Sequence, residues 1–331
     1  SSSIQCMCIA LLHIHKPLAV INKKFIMEKS RERILRLLTF YLFILATNSI
    51  WSQGFLSQNS TYHSLTSENG IEYVLKISLP YNYDKSREYN SVYYLDGFGM
   101  SDIVLGANSI LNVYEQCIED LVYIGISYGG SRDNWIEKRT YDYTPIKFKS
   151  LGKEKLNMAD ANSKIKVKVK YKTEGFELSE NTTGGGQAFL HFIDKAILPF
   201  VNETYKNLSN SKTLIGHSFG GLFAVYSLQT KPELFDNYII ISASLSINSS
   251  ELLHKSRFDM LKNCNSNIKI FNSYGGLEPN ITQQANDTLS NILAEKSFKN
   301  IKYHLKNYKK EDHTSILKDA IYDGIKFIYK K

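Results

Sequence analysis

Short apolar runs alternate along the chain with longer segments in which apolar residues recur every three or four positions. The runs Ser91–Leu95, Leu121–Ser127 and Tyr238–Ser242 are apolar at almost every position, as is typical of strands that are covered on both faces. The segment Gln187–Tyr205 instead has the spacing of an amphipathic helix. Strand and helix patterns alternate from residue 91 onward, which predicts a mostly parallel central sheet with helices on both faces.

Further patterns extend this order at both ends of the chain. The predicted strands also include Tyr62–Leu65, Ile71–Leu79, Ile268–Asn272 and Ile301–Leu305, and the predicted helices include Ile110–Cys117, Ile281–Lys296 and a closing helix that ends near Tyr329. The first two strands are joined by a polar segment that ends in Asn69-Gly70, which is typical of a hairpin turn. An antiparallel hairpin is therefore predicted ahead of the parallel strands.

The stretch Gly216-His217-Ser218-Phe219-Gly220 fits the motif G-x-S-x-G. It follows a β-prone segment and precedes an apolar helical pattern, which is the context that a nucleophile elbow requires. In such an elbow the hydroxyl of Ser218 lies above the sheet, and the Phe219 N–H points to the space in front of it, where it can bind an oxyanion. The flanking patterns favour this interpretation over an ordinary strand-to-helix turn.

A serine nucleophile needs a base and a group that orients the base, and both are expected in loops after later strands. His313 follows the last predicted strand, whereas His304 lies on the polar side of that strand, so we take His313 as the base. Glu278 lies in a glycine-rich loop after the preceding strand and is the preferred acid. Asp287 lies in a polar helical pattern, and Asp236 precedes a strand at the opposite end of the sheet.

The strand Ser91–Leu95 runs directly into a glycine turn, which is where α/β-hydrolases place their second oxyanion donor. We take the backbone N–H of Phe98 as that donor, with an ordinary strand-end turn as the alternative. Asp96, Arg132 and Arg139 are candidate substrate-binding residues. For Arg139, an ion pair with Asp142 in a surface turn is an equally open interpretation.

Residues 146–183 are the least regular part of the chain and are predicted to be an inserted, lid-like segment. Within them, Lys164–Lys172 alternates lysines with apolar residues, which predicts a half-buried strand. Two interpretations are open for the lysines. They protect an exposed sheet edge from pairing with other chains, or they form a surface for an anionic substrate.

The beginning of the chain has the pattern of an export signal. Residues 27–52 combine a basic segment with the apolar run Leu37–Ala46, which is short for a membrane span. We therefore expect a signal peptide at 27–52, a doubtful extension at 1–26 and a secreted or periplasmic catalytic domain at 53–331. An uncleaved membrane anchor is the alternative, whereas signal cleavage would leave no stable membrane association.

Charge and cysteine content limit the partners. The formal charge of +8 is misleading, because residues 1–52 hold seven of the 40 basic and two of the 32 acidic side chains, so residues 53–331 carry +3. This balance gives no case for nucleic-acid binding. No Cys/His spacing indicates a metal site, and no cofactor is implied. Cys117 and Cys264 follow the signal, and the sequence leaves open whether they pair.

Five motifs occur together in one order. They are Val92–Gly97, Arg139–Pro145, Gly184–Tyr205, Gly216–Gly221 and Glu311–Ser315. Through these motifs and their order, the chain resembles the putative-esterase family of α/β-hydrolases. That family includes the ferric-enterochelin esterases, the S-formylglutathione hydrolases and their secreted relatives. The siderophore-esterase-like branch is the most similar, because Leu-Asp-Gly follows the third strand.

The resemblance implies an α/β-hydrolase fold, with Ser218 as nucleophile and His313 as base. It also implies an oxyanion hole formed by the Phe219 N–H and by the backbone after Gly97. The acid varies in that branch, so a triad with Glu278 and a Ser–His dyad are both open. The resemblance implies a serine esterase that acts through an acyl-enzyme on small-molecule esters, such as siderophore esters. A carbohydrate esterase that removes acetyl or feruloyl groups from a saccharide is one alternative, and a non-catalytic binding protein of the same fold is another.

Overall fold

The computed structural model describes residues 31, 33–39, 59–148, 178–294, 298 and 300–331. The chain divides into two units, Ser1–Ser57 and Gln58–Lys331. In the first unit, residues 31 and 33–39 are helical and their side chains are exposed. Among the helices that the structure describes, none combines the length and the apolar character that crossing a membrane requires.

The described part of the second unit contains a twisted sheet of eight strands in the order β1-β2-β4-β3-β5-β6-β7-β8. The strands are β1 (Ser60–Thr66), β2 (Glu72–Ser78), β3 (Tyr89–Tyr94), β4 (Leu121–Tyr128), β5 (Leu208–His217), β6 (Asn237–Ile241), β7 (Ile268–Gly275) and β8 (Ile301–Tyr308). The strands β1 and β2 form the predicted antiparallel hairpin, β2 also pairs antiparallel with β4, and the six strands β3 to β8 are mutually parallel. In parallel strands the carboxyl ends share one edge, so the loops after β3, β5, β6, β7 and β8 meet there.

Helices cover both faces of the sheet. They are α1 (Gly97–Asn108), α2 (Arg132–Tyr143), α3 (Gly186–Phe192), α4 (Leu198–Thr204), α5 (Phe219–Thr230), α6 (Asp259–Lys262), α7 (Asn280–Leu293) and α8 (Leu317–Tyr329). The helices α1 and α8 pack on one face of the sheet. The helices α2 to α7 pack on the opposite face. On α8, Ile321, Ile325 and Ile328 recur at helical spacing and are buried, and each contributes about 1.5–3 kcal/mol. The prediction of a mostly parallel sheet with helices on both faces is confirmed.

Two helices begin where the sequence indicated loops. The helix α1 begins at Gly97, well before the predicted start at Ile110, and continues into a π-helical turn at Ser109–Tyr114. Its glycines have low helix propensity, which hid it in the sequence. The charged stretch after β4 is not a loop but α2, and the hydroxyl of Ser131 accepts a hydrogen bond from the Asn134 N–H at its start.

The predicted insertion at 146–183 is described only at its two ends. Residues 149–177, which include the Lys164–Lys172 alternation, lie outside the described residues. The two ends are joined, because the Phe148 N–H donates to Thr183 Oγ1 at 3.0 Å and both residues are buried. The Gly184 N–H likewise donates to Thr144 Oγ1 at 3.0 Å. The chain therefore leaves and re-enters the folded body of the second unit at a single point.

Asp142 is a buried carboxylate on α2 that should make stability depend on pH. Its Oδ2 accepts hydrogen bonds from the hydroxyls of Tyr73 at 2.7 Å and Tyr128 at 3.0 Å, and burial raises its pKa from 3.8 to about 7. Between these values the unfolded chain releases a proton that the folded protein keeps. The free energy of unfolding should therefore fall as the pH rises from about 4 to about 7, by at most ~1.4 kcal/mol per pH unit.

The variant Asp142→Asn tests this expectation because its amide oxygen can still accept from both tyrosines. Urea unfolding of wild type and variant should show the variant gaining stability relative to wild type as the pH is raised through that range. A stability difference that is the same at both ends of the range would contradict the prediction.

Candidate active site

Ser218 lies in a sharp turn between the end of β5 and the start of α5. Its backbone has φ 59° and ψ −118°, a sparsely populated conformation that costs about 1–3 kcal/mol. The approach of strand and helix requires glycine at 216, where a Cβ would lie 2.1 Å from the Gly220 carbonyl oxygen. This is the backbone geometry that a nucleophile elbow requires.

The elbow is held by neighbouring backbone. The Ser218 N–H donates to the Ile241 carbonyl at 3.0 Å, and its own carbonyl accepts from the N–H groups of Leu222 at 3.0 Å and Ser244 at 3.1 Å. The Ser218 hydroxyl lies 3.3 Å from Ser244 Oγ. Within the described residues, no hydrogen bond joins Ser218 Oγ to His313.

The structure brings His313 and Glu278 together. His313 Nδ1 lies 2.8 Å from Glu278 Oε2, and the Glu278 side chain is only 1% exposed whereas that of His313 is 38% exposed. The other oxygen of Glu278 accepts from the Gly275 N–H at 2.7 Å and from Ser242 Oγ at 2.6 Å. Both carboxylate oxygens are therefore occupied, as a buried charge requires.

The loops that carry Glu278 and His313 are joined through their backbones. The N–H of Leu277 donates to the Glu311 carbonyl at 3.1 Å, and the N–H of Gly276 donates to the Tyr308 carbonyl at 2.8 Å. A Cβ on Gly275 would lie 2.4 Å from the Glu311 carbonyl oxygen. The glycines after β7 therefore permit an approach between the two loops that a larger residue would prevent.

The other acidic and basic candidates lie elsewhere. His304 is exposed on β8 and stacks against Phe271 and Phe327. Asp287 accepts a hydrogen bond from the Tyr274 hydroxyl at 2.8 Å. Asp236 directly precedes the amino end of β6 and accepts from the Lys212 N–H at 2.8 Å.

The predicted oxyanion donors have different surroundings. Phe219 is the first residue of α5, and the N–H groups of a first helical turn have no acceptor within their own helix. The Phe98 N–H donates to Ser127 Oγ at 3.2 Å, and the Phe98 side chain is 90% exposed. An oxyanion would therefore compete with the Ser127 hydroxyl for this second donor.

Asp96 and Arg139 bind each other rather than projecting as separate charges. The Arg139 guanidinium makes two hydrogen bonds to the Asp96 carboxylate, at 2.7 and 2.8 Å, and lies 5.7 Å from the Phe219 ring. The predicted alternative, an Arg139–Asp142 pair, is wrong. The side chain of Arg132 lies outside the described residues, and the substrate-binding role of Asp96, Arg132 and Arg139 stays a prediction.

Three polar contacts at the site were not predicted from the sequence. They are made by His217, Ser242 and Ser244. His217 Nε2 lies 2.7 Å from the carbonyl oxygen of His313, whereas the two serines contact Glu278 and Ser218 as described above. Their positions in the sequence were the available signal, since His217 precedes the predicted nucleophile and the two serines follow β6 at the same sheet edge.

Within the described ranges, no group of three or more His, Cys, Asp or Glu side chains is arranged to hold a metal ion. Cys117 and Cys264 are both free thiols, so they do not form a disulfide with each other. The chemistry that the arrangement allows is nucleophilic attack by a hydroxyl, assisted by an imidazole and a carboxylate.

Two curated proteins resemble the chain over part of their length. The ferri-bacillibactin esterase BesA of Bacillus subtilis is 29% identical over 185 residues, which are 54% of this chain and 62% of that protein. The siderophore enterobactin esterase of Emericella nidulans is 30% identical over 173 residues, 44% of this chain and 56% of that protein. The chain thus spans less than two thirds of the length of either relative.

Solved structures and a family model extend the comparison to most of the chain. The BES protein of Bacillus cereus superimposes with a TM-score of 0.69 and 24% identity, over 84% of this chain and 98% of that one. An IroE-like serine hydrolase of Shewanella oneidensis gives a TM-score of 0.64 and 24% identity, over 82% and 80%. Both show the α/β-hydrolase fold. The model of the family described as "Putative esterase" matches residues 66–155 and 156–316. The chain therefore belongs to this esterase family of α/β-hydrolases.

Proposed function

We propose that the protein is a serine esterase that cleaves siderophore-type carboxylic esters, with Ser218, His313 and Glu278 as its catalytic set. The observation that carries this proposal is the 2.8 Å contact between His313 Nδ1 and Glu278 Oε2, at the same sheet edge as the strained Ser218. A carboxylate at Nδ1 holds the imidazole in the tautomer whose Nε2 can accept the proton of a serine. The siderophore class is supported by the names of the two curated relatives.

In the first step, Ser218 Oγ attacks the ester carbonyl carbon while its proton passes to His313 Nε2. The Ser218 hydroxyl first turns from Ser244 towards His313, a rearrangement that is common because catalytic hydrogen bonds often tighten only when substrate binds. Glu278 stabilises the imidazolium that forms. Its burial strengthens that interaction, because the local dielectric constant is low.

The negative charge on the carbonyl oxygen is stabilised by backbone donors. The Phe219 N–H supplies one hydrogen bond, and the Phe98 N–H supplies a second if the oxyanion replaces Ser127 Oγ as its acceptor. His313 then gives its proton to the leaving alcohol, which yields an acyl-enzyme. A water molecule that His313 deprotonates hydrolyses this ester and restores Ser218.

Two alternatives make different predictions. A carbohydrate esterase would use the same catalytic set but prefer acetyl or feruloyl esters of saccharides. A non-catalytic binding protein would have no need for the strained backbone of Ser218, which the fold maintains at a cost of about 1–3 kcal/mol. The elbow therefore favours an enzyme.

Labelling of the active serine tests the proposal directly. Diisopropyl fluorophosphate should abolish hydrolysis of p-nitrophenyl acetate by the purified protein, with the adduct on Ser218 in peptide mass spectra. An adduct on Ser244, or hydrolysis without labelling, would contradict the assignment. In a panel of a siderophore ester, an acetylated saccharide, a feruloyl ester and a thioester, the siderophore ester should have the highest kcat/KM. A higher value for either saccharide-type ester would favour the carbohydrate alternative.

A further inference from the structure

The residue before the nucleophile contacts the backbone of the proposed base. His217 is the last residue of β5, and its Nε2 lies 2.7 Å from the carbonyl oxygen of His313. Because a carbonyl only accepts hydrogen bonds, Nε2 carries the proton and donates it. The contact thus fixes the tautomer of His217 as well as the position of the His313 peptide group.

The two imidazoles also pack against each other. Their ring centroids are 4.7 Å apart and their planes are inclined by 44°. Burial lowers the pKa of His217 to about 3, electrostatic interactions with the side chains of His313 and Arg139 lower it further, and the hydrogen bond to the His313 carbonyl opposes the shift. His217 is therefore neutral at neutral pH, and its ring does not add a positive charge beside the imidazolium that His313 becomes.

His313 is consequently held at two points from two different strands. Glu278, in the loop after β7, binds its side chain through Nδ1. His217, on β5, binds its backbone carbonyl. His217 is also the residue that directly precedes Ser218 in the chain. One side chain and one hydrogen bond therefore connect the backbone of the proposed nucleophile to the backbone of the proposed base.

Such a link matters because the contact between Ser218 and His313 is not formed at rest. The Ser218 hydroxyl lies against Ser244 Oγ, and it must meet Nε2 of His313 when it turns. A displacement of about 1 Å between reacting groups can cost about a hundredfold in rate. In the loop that carries His313, the neighbouring residues Asp312, Thr314 and Ser315 are exposed. Because they have little packing to hold them, a hydrogen bond to the backbone of His313 limits how far the loop can move.

We propose that His217 is a positioning residue, whose Nε2–H holds the carbonyl of His313 and keeps the general base in register with Ser218. This inference rests on the proposed esterase function. It assigns His217 no contact with substrate and no proton transfer. Its role is to preserve a distance, so its loss should lower kcat more than it raises KM.

The experiment compares variants at position 217 in the full chain. His217→Gln keeps a donor amide that can reach the carbonyl, His217→Leu has similar bulk without a donor, and His217→Asn has a donor on a shorter side chain. The matched control is His304→Leu, a histidine on β8 that stacks on Phe271 and Phe327. Hydrolysis of p-nitrophenyl acetate is measured, and kcat is expressed per active site titrated with diisopropyl fluorophosphate, so that misfolded protein does not count.

We expect His217→Leu to lower kcat per titrated site by about 10–100-fold, with KM changed by less than about twofold. His217→Gln should restore kcat to within about threefold of wild type, and His304→Leu should leave it unchanged. A purely structural role for His217 would reduce the titrated fraction and the melting temperature but not kcat per site. If His217→Leu does not fold, His217→Asn carries the test, and the same loss is expected.

Wild-type kcat per titrated site in both His217→Leu and His217→Asn would overturn the proposal. So would a loss in His217→Gln as large as that in His217→Leu. Failure of the esterase function itself has a different signature, because Ser218→Ala would then be as active as wild type. An inactive Ser218→Ala together with fully active His217 variants would leave the esterase proposal standing and remove the positioning role alone.

Discussion

Replacing Ser218 by alanine is expected to lower kcat for p-nitrophenyl acetate by at least about a thousandfold. The change removes one oxygen from a half-buried side chain and leaves the elbow glycines in place. The fold should therefore persist, and the residual rate should reflect only binding and the backbone donors. Steady-state kinetics measure the loss of kcat, and a thermal melt shows whether the variant is folded.

The matched control is Ser244→Ala, which removes the hydroxyl that lies 3.3 Å from Ser218 Oγ. Since Ser244 has no role in the proposed proton transfer, its loss should change kcat by less than about tenfold, or 1.4 kcal/mol of barrier. The kcat of His313→Ala should be lowered as much as that of Ser218→Ala, whereas His304→Ala should keep the wild-type kcat. Full activity of folded Ser218→Ala would exclude the mechanism, and a swap of the two histidine results would exclude His313 as the base.

Replacing Glu278 by glutamine is expected to lower kcat by up to about ten thousandfold, with little change in KM. The surroundings of the carboxylate explain why. The Gly275 N–H can only donate, and it points at Oε1, so the amide oxygen of a glutamine must occupy that position. Its NH₂ group then faces His313 Nδ1. Two donors cannot share one contact, so the ring changes to the tautomer with its proton on Nε2, which cannot accept the proton of Ser218.

Kinetics of Glu278→Gln beside Asp287→Asn test this argument. Asp287 is another carboxylate near the end of β7, but it binds the Tyr274 hydroxyl instead of a histidine, so its neutralisation should leave kcat unchanged. A loss below about tenfold for Glu278→Gln would mean that His313 works without an acid. The catalytic set would then be a dyad of Ser218 and His313.

The sequence was sufficient for the sheet and for the principal groups of the site because their signals are local. Runs such as Leu121–Ser127 are apolar throughout, as strands between two helical layers must be. The closeness of Glu278 and His313 followed from topology, since each is in a loop after a parallel strand and such loops meet at one edge. Neither inference needed the positions of other side chains.

The contacts that the sequence did not predict depend on particular three-dimensional distances. Nothing local indicates that Arg139 binds Asp96 instead of Asp142, because that choice depends on how α2 packs beside the loop after β3. Ser242 contacts Glu278 from a backbone with φ 47°, a conformation that a serine rarely adopts and that its sequence neighbours do not signal. The start of α1 was not predicted for a different reason. Here the local sequence gave a misleading signal, because the glycines of α1 suggested a turn.

The hydrogen bond between the Phe148 N–H and Thr183 Oγ1 bears on how a chain of this fold can change during evolution. Because Phe148 and Thr183 meet at one buried point, the number of residues between them does not set the geometry of the body. The entropic cost of closing such a loop rises only with the logarithm of its length, about 0.6 kcal/mol for each doubling. We therefore expect that the segment can be exchanged for a longer or shorter one, while Ser218, Glu278 and His313 keep their places just after β5, β7 and β8, which the exchange does not touch.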